Sequence, residues 1–219
     1  MTHRKIKLIF TLLTMTMLFC IHLSPTESAS SSTNEITNKI FYLNGEKSEY
    51  PIINVNNDGI NFIINRDIRS YIADMRAAID SMPKTTASFH YKIYYNDSSV
   101  LSVGFREYRY YYHAAHGNYF IHNIVYDKKT GKKIPSSNYI NLTVTDLQKA
   151  INNGSASIWG GDGQAELTPE QITSPTYVSQ NYYLEKKSGK LFIGFVYPPY
   201  DLAPWSTGII HIVLPISKG

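Results

Sequence analysis

The pattern of hydrophobic positions begins with two short runs of β-branched and aromatic residues, at residues 39–43 and 50–55. Runs of this composition are typical of strands. Asn44 and Gly45 lie between them, and this pair favours the tight turn of a β-hairpin. The pattern therefore predicts two strands joined by a turn.

The apolar positions then change to a period that is typical of a helix. Between Ile60 and Met82 they recur at steps of three and four, which places them on one face of a helix. Asp58 is the expected N-cap, and Pro83 is expected to end the helix. The predicted apolar face comprises Ile60, Ile63, Ile64, Ile68, Tyr71, Ile72, Met75, Ile79 and Met82.

The rest of the chain is dominated by predicted strands. They are residues 86–95, 100–112, 119–126, 177–184, 191–197 and 208–214. A second helix is predicted at residues 145–152, and residues 168–171 have the sequence of a capped single turn. Consecutive strands joined by short polar turns predict an α+β fold, in which an antiparallel sheet carries helices packed on one face.

The start of the chain has the composition of a secretory leader. A short basic segment precedes an apolar run at residues 8–23, and a segment of small residues follows. This order predicts a signal peptide at residues 1–30, cleaved after Ser28 or Ser30. The alternative is an uncleaved anchor, but the run of 16 residues is shorter than the roughly 20 that span a bilayer. We therefore expect export, to the periplasm, the cell envelope or the medium, with no membrane span after cleavage.

The leader also defines the expected domain organisation and the charge of the mature chain. Residues 31–85 are predicted to form a β-β-α region, and residues 86–219 an α+β region that makes one compact unit with it. Without the leader, 18 of the 21 basic and 16 of the 17 acidic residues remain. This near balance gives no indication of a nucleic-acid partner, which requires a clustered basic surface. The single cysteine, Cys20, lies in the leader and excludes a disulfide framework or a multi-cysteine zinc site.

Motifs that would indicate catalysis or a cofactor are weak. The Gly-rich segment at residues 160–163 has no predicted strand before it and no Lys-Ser/Thr after it, so it does not match a phosphate-binding loop. His113 and His116, with His90 and His122 on neighbouring predicted strands, are a candidate zinc cluster, but we favour loop histidines that bond backbone groups. No catalytic residue, metal ligand or cofactor is assigned.

The tyrosines are more informative, since the chain contains 18 of them. By a period of two, Tyr108, Tyr110 and Tyr112 share one strand face with Arg106. Tyrosine and arginine are enriched in protein interfaces, so this row is a candidate binding surface. The alternative is that the tyrosine rings pack in the core with only their hydroxyls in contact with water.

Two groups of motifs in the second half of the chain occur in the order of a known bacterial family. The first group is His116-Gly117-Asn118, Tyr126-Asp127 and Thr130-Gly131-Lys132. The second group is Phe192-Ile193-Gly194-Phe195, Tyr200-Asp201-Leu202-Ala203-Pro204-Trp205-Ser206-Thr207-Gly208 and Pro215. In sequence and order these motifs resemble the RsiV-like domain, which occurs in an anti-sigma factor that senses lysozyme and in a peptidoglycan deacetylase. The resemblance runs from about residue 39 to 215, and residues 50–82 are similar to the poorly characterised domain that usually precedes it.

The resemblance implies a non-catalytic α+β module outside the membrane, known in one case to bind lysozyme. The chain departs from the family pattern in three of its motifs: His113-Ala114 replaces a glycine, Asp201 replaces a glutamate and Trp205 replaces a tyrosine. It also lacks the segments for sigma binding and deacetylation, so neither activity is inferred.

These observations predict an exported binding module of the bacterial cell envelope, with a lysozyme-like protein or peptidoglycan as partner. The alternative is an enzyme that acts on cell-envelope glycans through carboxylates such as Asp201 or Glu107. The aromatic segment from Tyr197 to Trp205 could bind a protein or stack on a sugar, or it could close the end of the core. The candidate binding residues are Tyr108, Tyr110, Tyr112, His116, Tyr200, Asp201 and Trp205.

Overall fold

The computed structural model describes residues 35–82 and 84–216. The predicted leader, residues 1–30, and the predicted helix stop at Pro83 lie outside the described residues. No helix within the described ranges is long and apolar enough to cross a membrane.

The chain begins with the predicted hairpin. Strand β1 (Ile36–Leu43) pairs antiparallel with strand β2 (Glu46–Ile53). Asn44 and Gly45 form the turn with φ of 47° and 91°, the positive values that a two-residue hairpin turn requires at both central positions.

Helix α1 (Asp58–Asp80) follows the hairpin. Its N-cap is Asn57 and not the expected Asp58, because the Asn57 side chain accepts a hydrogen bond of 3.1 Å from the Ile60 amide. Ile63 was expected on the apolar face but is 38% exposed. The buried residues of the helix are Ile64, Asn65, Ile68, Ile72, Met75 and Ile79.

Two asparagine side chains join α1 to the end of β2. Asn65 accepts from the Ile53 amide at 2.8 Å and donates to the Ile53 carbonyl at 2.7 Å. One helical turn earlier, Asn61 makes the same pair of bonds to Val55, at 2.7 and 2.9 Å. Each amide group therefore satisfies the backbone as a neighbouring strand would.

A three-stranded antiparallel sheet packs on the hairpin and α1. Its order is β3 (Thr85–Asn96), β4 (Val100–Tyr111) and β5 (Asn118–Asp127). One face of the sheet contributes residues such as Phe89 and Phe105 to a core shared with α1 and the hairpin. The opposite face of the sheet contacts the second half of the chain.

The second half forms a five-stranded antiparallel sheet with helix α2 (Val144–Asn152). Its strands are β6 (Ser157–Gly160), β7 (Ala165–Leu167), β8 (Tyr182–Lys187), β9 (Lys190–Tyr197) and β10 (Ile210–Pro215), in the order β7-β6-β10-β9-β8. Leu147 and Ile151 of α2 pack in a second core with residues of β8, β9 and β10. Thr168 caps the predicted single turn, Pro169–Gln171.

The fold is α+β, as predicted, but sheets dominate it. The expectation of one sheet with helices on one face is wrong, since the described residues form three sheets of two, five and three strands. The two helices belong to separate cores, α1 to the first and α2 to the second. A small third cluster, formed by Tyr183, Val196 and Ile209 with Tyr94 and Ile121, lies between the two larger sheets.

Candidate functional site

A cleft of about 700 Å³ lies beside the three-stranded sheet. Cross-strand pairing places two rows of side chains on its floor: His90, Arg106 and Ile121 in one, and Ser88, Tyr108 and Tyr119 in the other. The facing wall consists of Gly161, Asp162, Gln164, Trp205, Ser206, Gly208 and Ile209. Strand periodicity thus points the predicted Arg106–Tyr108 row into a concave site.

The Gly-rich segment forms part of this wall. The absence of a strand before it was a wrong expectation, because β6 leads directly into it and β7 follows. Gly161, Asp162 and Gly163 have φ of 56°, 67° and 82°, so the segment is a tight turn in the left-handed region that glycine favours. The turn carries the Asp162 carboxylate to the floor of the cleft.

Asp162 forms an ion pair with Arg106. The Arg106 guanidinium also donates to the Tyr94 hydroxyl at 3.2 Å, and the Nε2 atom of His211 lies 3.2 Å from the second Asp162 oxygen. The resulting network joins β3, β4, the β6–β7 turn and β10. The network therefore ties the turn in the facing wall to the strand that carries Arg106 on the floor of the cleft.

His211 is neutral within this network. Burial, followed by the nearby charges of Arg106 and Lys92, lowers the pKa of His211 to about 3. The side chain is only 3% exposed. Its hydrogen-bond partners assign the tautomer: Nε2 donates to Asp162, and Nδ1 accepts from the Tyr183 hydroxyl at 3.3 Å.

A second ion pair lies on the face of β4 opposite to the cleft, because Glu107 and Arg109 alternate with Arg106 and Tyr108 along the strand. Glu107, which is 2% exposed, pairs with Arg109, and the Arg109 guanidinium lies 4.4 Å from the centre of the Phe120 ring. The acidic side chain that reaches the cleft is that of Asp162, and it is matched by Arg106. This pair therefore supplies polar atoms to the cleft without adding net charge to it.

The other half of the site is aromatic. The Trp205 ring stacks on His116, with ring centres 4.2 Å apart and planes 24° apart. Tyr119 lies 6.4 Å from Trp205 at a similar inclination of 29°, and Tyr108 lies 5.1 Å from Tyr119. His116 Nε2 is 3.1 Å from the Tyr200 hydroxyl. The indole Nε1 of Trp205 is buried and has no hydrogen-bond partner among the described residues.

The predicted site residues are only partly brought together. Tyr108 and Trp205 line the cleft, and His116 and Tyr200 form a chain of contacts behind Trp205. The remaining three lie elsewhere. Asp201 accepts a hydrogen bond from Tyr177, Tyr112 is 59% exposed, and neither of them nor Tyr110 lines the cleft. A binding role for any of the seven stays a prediction.

The candidate zinc histidines have separate surroundings. His122 stacks on Tyr71 with ring centres 4.7 Å apart, and His113 contacts Tyr112. His116 bonds the Gly117 carbonyl at 3.0 Å in addition to its contact with Trp205. Within the described ranges, no group of three or more potential ligands could hold a metal ion.

Similarity to known proteins is limited to fold. No protein-family model matches the chain, and no curated protein matches it significantly. A solved DUF3298 family protein from Bacteroides fragilis is similar with a TM-score of 0.52 and 14% identity, over 82% of this chain and 88% of that chain. A DUF3298 family protein from Pseudomonas aeruginosa gives a TM-score of 0.48 and 15% identity, over 83% and 87%. The chain thus has a fold similar to that of the Bacteroides DUF3298 protein, and its resemblance to the RsiV-like domain stays a prediction.

Proposed function

We propose that the chain is an exported, non-catalytic binding module of the bacterial cell envelope, and that the cleft receives its ligand. The observation that carries this proposal is the cleft itself, in which the Arg106–Asp162 pair faces the same space as Trp205 and Tyr119. Small-ligand sites commonly have volumes of about 300–1,000 Å³ and combine apolar walls with a few placed polar groups. Export rests on the leader sequence.

The state of the carboxylates supports binding over catalysis. Glycan hydrolysis by two carboxyl groups needs one to donate a proton and the other to act as a base or nucleophile. Glu107 is buried against Arg109, and Asp201 accepts a hydrogen bond from Tyr177. The Glu107 side chain alternates with Arg106 and Tyr108 and therefore lies on the face of β4 opposite to the cleft, and Asp201 does not line the cleft. This arrangement favours a binding site over the alternative of a glycan-cleaving enzyme.

Of the two expected partners, peptidoglycan fits the cleft better. A concave site with exposed aromatic rings and paired polar groups suits a narrow polymer more than the broad surface of a folded protein. A lysozyme-like protein is the partner that the family resemblance implies, and it belongs in the same experiment.

The test is co-sedimentation of the purified protein with isolated peptidoglycan sacculi, together with calorimetry against soluble muropeptides and against lysozyme. We expect the protein to sediment with sacculi, and Tyr119→Ala to reduce the bound fraction. Tyr42→Ala is the matched control, because Tyr42 is an exposed tyrosine of β1 outside the cleft. Failure to bind sacculi, muropeptides and lysozyme would remove the proposal, and turnover of muropeptides would replace it with the enzymatic alternative.

A further inference from the structure

We infer that the cleft is a saccharide subsite that selects neutral sugar rings, with the ring face on Trp205 and Tyr119 and the hydroxyls on the Arg106–Asp162 pair. This inference rests on the proposed function, because it names the ligand class of the same site. It goes further because it assigns the ligand to the glycan strand and not to the charged stem peptides or the anionic polymers of the envelope.

The aromatic side of the cleft gives the first reason. Tyr119 is 41% exposed although it lines a concave surface, and the Trp205 ring is fixed from behind by His116. A pyranose ring has one face of C–H groups, which packs on an aromatic face and removes apolar surface from water. The fixed orientation of Trp205 means that little side-chain entropy is lost on binding.

The charge of the cleft gives the second reason. Arg106, the arginine that lines the cleft, is compensated by Asp162. An anionic ligand would have to compete with Asp162 for the guanidinium, and removal of one partner from a partly buried pair is costly. A neutral hydroxyl can instead donate to the carboxylate and accept from the guanidinium without separating them.

The remaining polar groups of the wall are of the same kind. Gln164 and Ser206 line the cleft and are exposed, and they add an uncharged amide and an uncharged hydroxyl. Each can both donate and accept a hydrogen bond, as the hydroxyls of a sugar do. The cleft thus combines an aromatic face with donors and acceptors that carry no net charge.

The experiment is calorimetric and fluorescence titration of the purified protein with triacetylchitotriose and cellotriose as neutral probes, and trigalacturonic acid as the anionic probe. We expect saturable binding of a neutral trisaccharide and at least tenfold weaker binding of trigalacturonic acid. A change in tryptophan emission should persist in Trp159→Phe, since Trp159 does not line the cleft, and should be lost in Trp205→Phe.

Two further variants test the roles of the groups. Tyr119→Ala should weaken the neutral probe at least tenfold, and it is an exposed position at which the fold is expected to tolerate the change. Asp162→Asn keeps the shape but leaves Arg106 uncompensated, so it should weaken the neutral probe and strengthen trigalacturonic acid. Circular dichroism spectra and melting temperatures verify that each variant is folded.

The outcomes separate this inference from the proposed function. Binding of sacculi or lysozyme without any response to the neutral trisaccharides would overturn the inference and leave the binding module standing. Tighter binding of trigalacturonic acid than of the neutral probes would also overturn it. Binding of a neutral probe that is unchanged in both Tyr119→Ala and Asp162→Asn would place the sugar outside the cleft and contradict it.

Discussion

The ring of Tyr108 lies directly against the α-carbon of Gly117. A β-carbon at position 117 would be 2.2 Å from the nearest ring carbon of Tyr108, far inside the contact distance of two carbon atoms. Tyr108 is on β4, and Gly117 immediately precedes β5. Because His116 is the next residue before Gly117, this contact also fixes the segment that supports Trp205.

Gly117→Ala should therefore destabilise the protein and disturb the cleft. The new methyl group must push the Tyr108 ring or the backbone aside, and overpacking of this kind costs about 1–3 kcal/mol. Urea denaturation measures the loss. The double-mutant cycle with Tyr108→Ala is the control, because the cost of Gly117→Ala should fall once the ring is absent. An equal cost in both backgrounds would show that the contact is not the cause.

The residues around this contact show what could be predicted from sequence. Period two predicts one strand face for Arg106 and the Tyr108 row, and of that row Arg106 and Tyr108 line the cleft whereas Tyr110 and Tyr112 do not. Strands β6 and β7 were missed because they have only four and three residues, too few for a periodic signal. Their turn carries Asp162 to Arg106, 56 positions away in the sequence, and such a pairing depends on strand order, which local pattern does not encode.

The helix cap was missed for a different reason. Asn57 and Asp58 are adjacent, and both residue types are good N-caps, so sequence alone could not choose between them. The structure selects Asn57 because its backbone is extended, with φ of −158° and ψ of 109°, and its side chain reaches the Ile60 amide.

Asn57→Ala should accordingly cost about 1 kcal/mol of stability, the usual value for loss of an N-cap hydrogen bond. Asp58→Ala should cost less, since Asp58 lies in the first turn and contributes only through its charge near the helix N-terminus, about 0.3–1 kcal/mol at low salt. Denaturation at low and high salt checks both values. A greater loss for Asp58→Ala than for Asn57→Ala would contradict the cap assignment.

Asn65→Ala should be among the more destabilising polar substitutions in α1. It removes both bonds to Ile53 and leaves a buried amide and carbonyl unpaired, for which we expect a loss of about 2–4 kcal/mol in the free energy of unfolding. Asn38→Ala is the matched control, because Asn38 bonds Glu49 at an exposed position, and it should cost less than about 0.5 kcal/mol. Similar losses for the two variants would show that the two hydrogen bonds between Asn65 and Ile53 contribute little to stability.

The buried His211 should make the protein less stable in mild acid. Its pKa is about 3 in the folded protein against about 6.5 in an unfolded chain, so the unfolded state binds more protons below pH 6.5. The stabilising contribution is complete above that pH and is lost as the pH falls towards 3. Between pH 6.5 and 5 the loss from this residue should be about 2 kcal/mol.

His211→Gln tests this assignment, since glutamine does not titrate and can still donate and accept hydrogen bonds. Whatever its stability at pH 7.5, the variant should lose less stability than the wild type between pH 6.5 and 5, by about 2 kcal/mol. His122, whose pKa is lowered by burial and by Lys133, contributes to the slope of both proteins and cancels in the difference. Nuclear magnetic resonance of the imidazole nitrogens is the direct check: a His211 ring that becomes protonated near pH 6.5 in the folded protein would contradict the neutral Asp162–His211–Tyr183 arrangement.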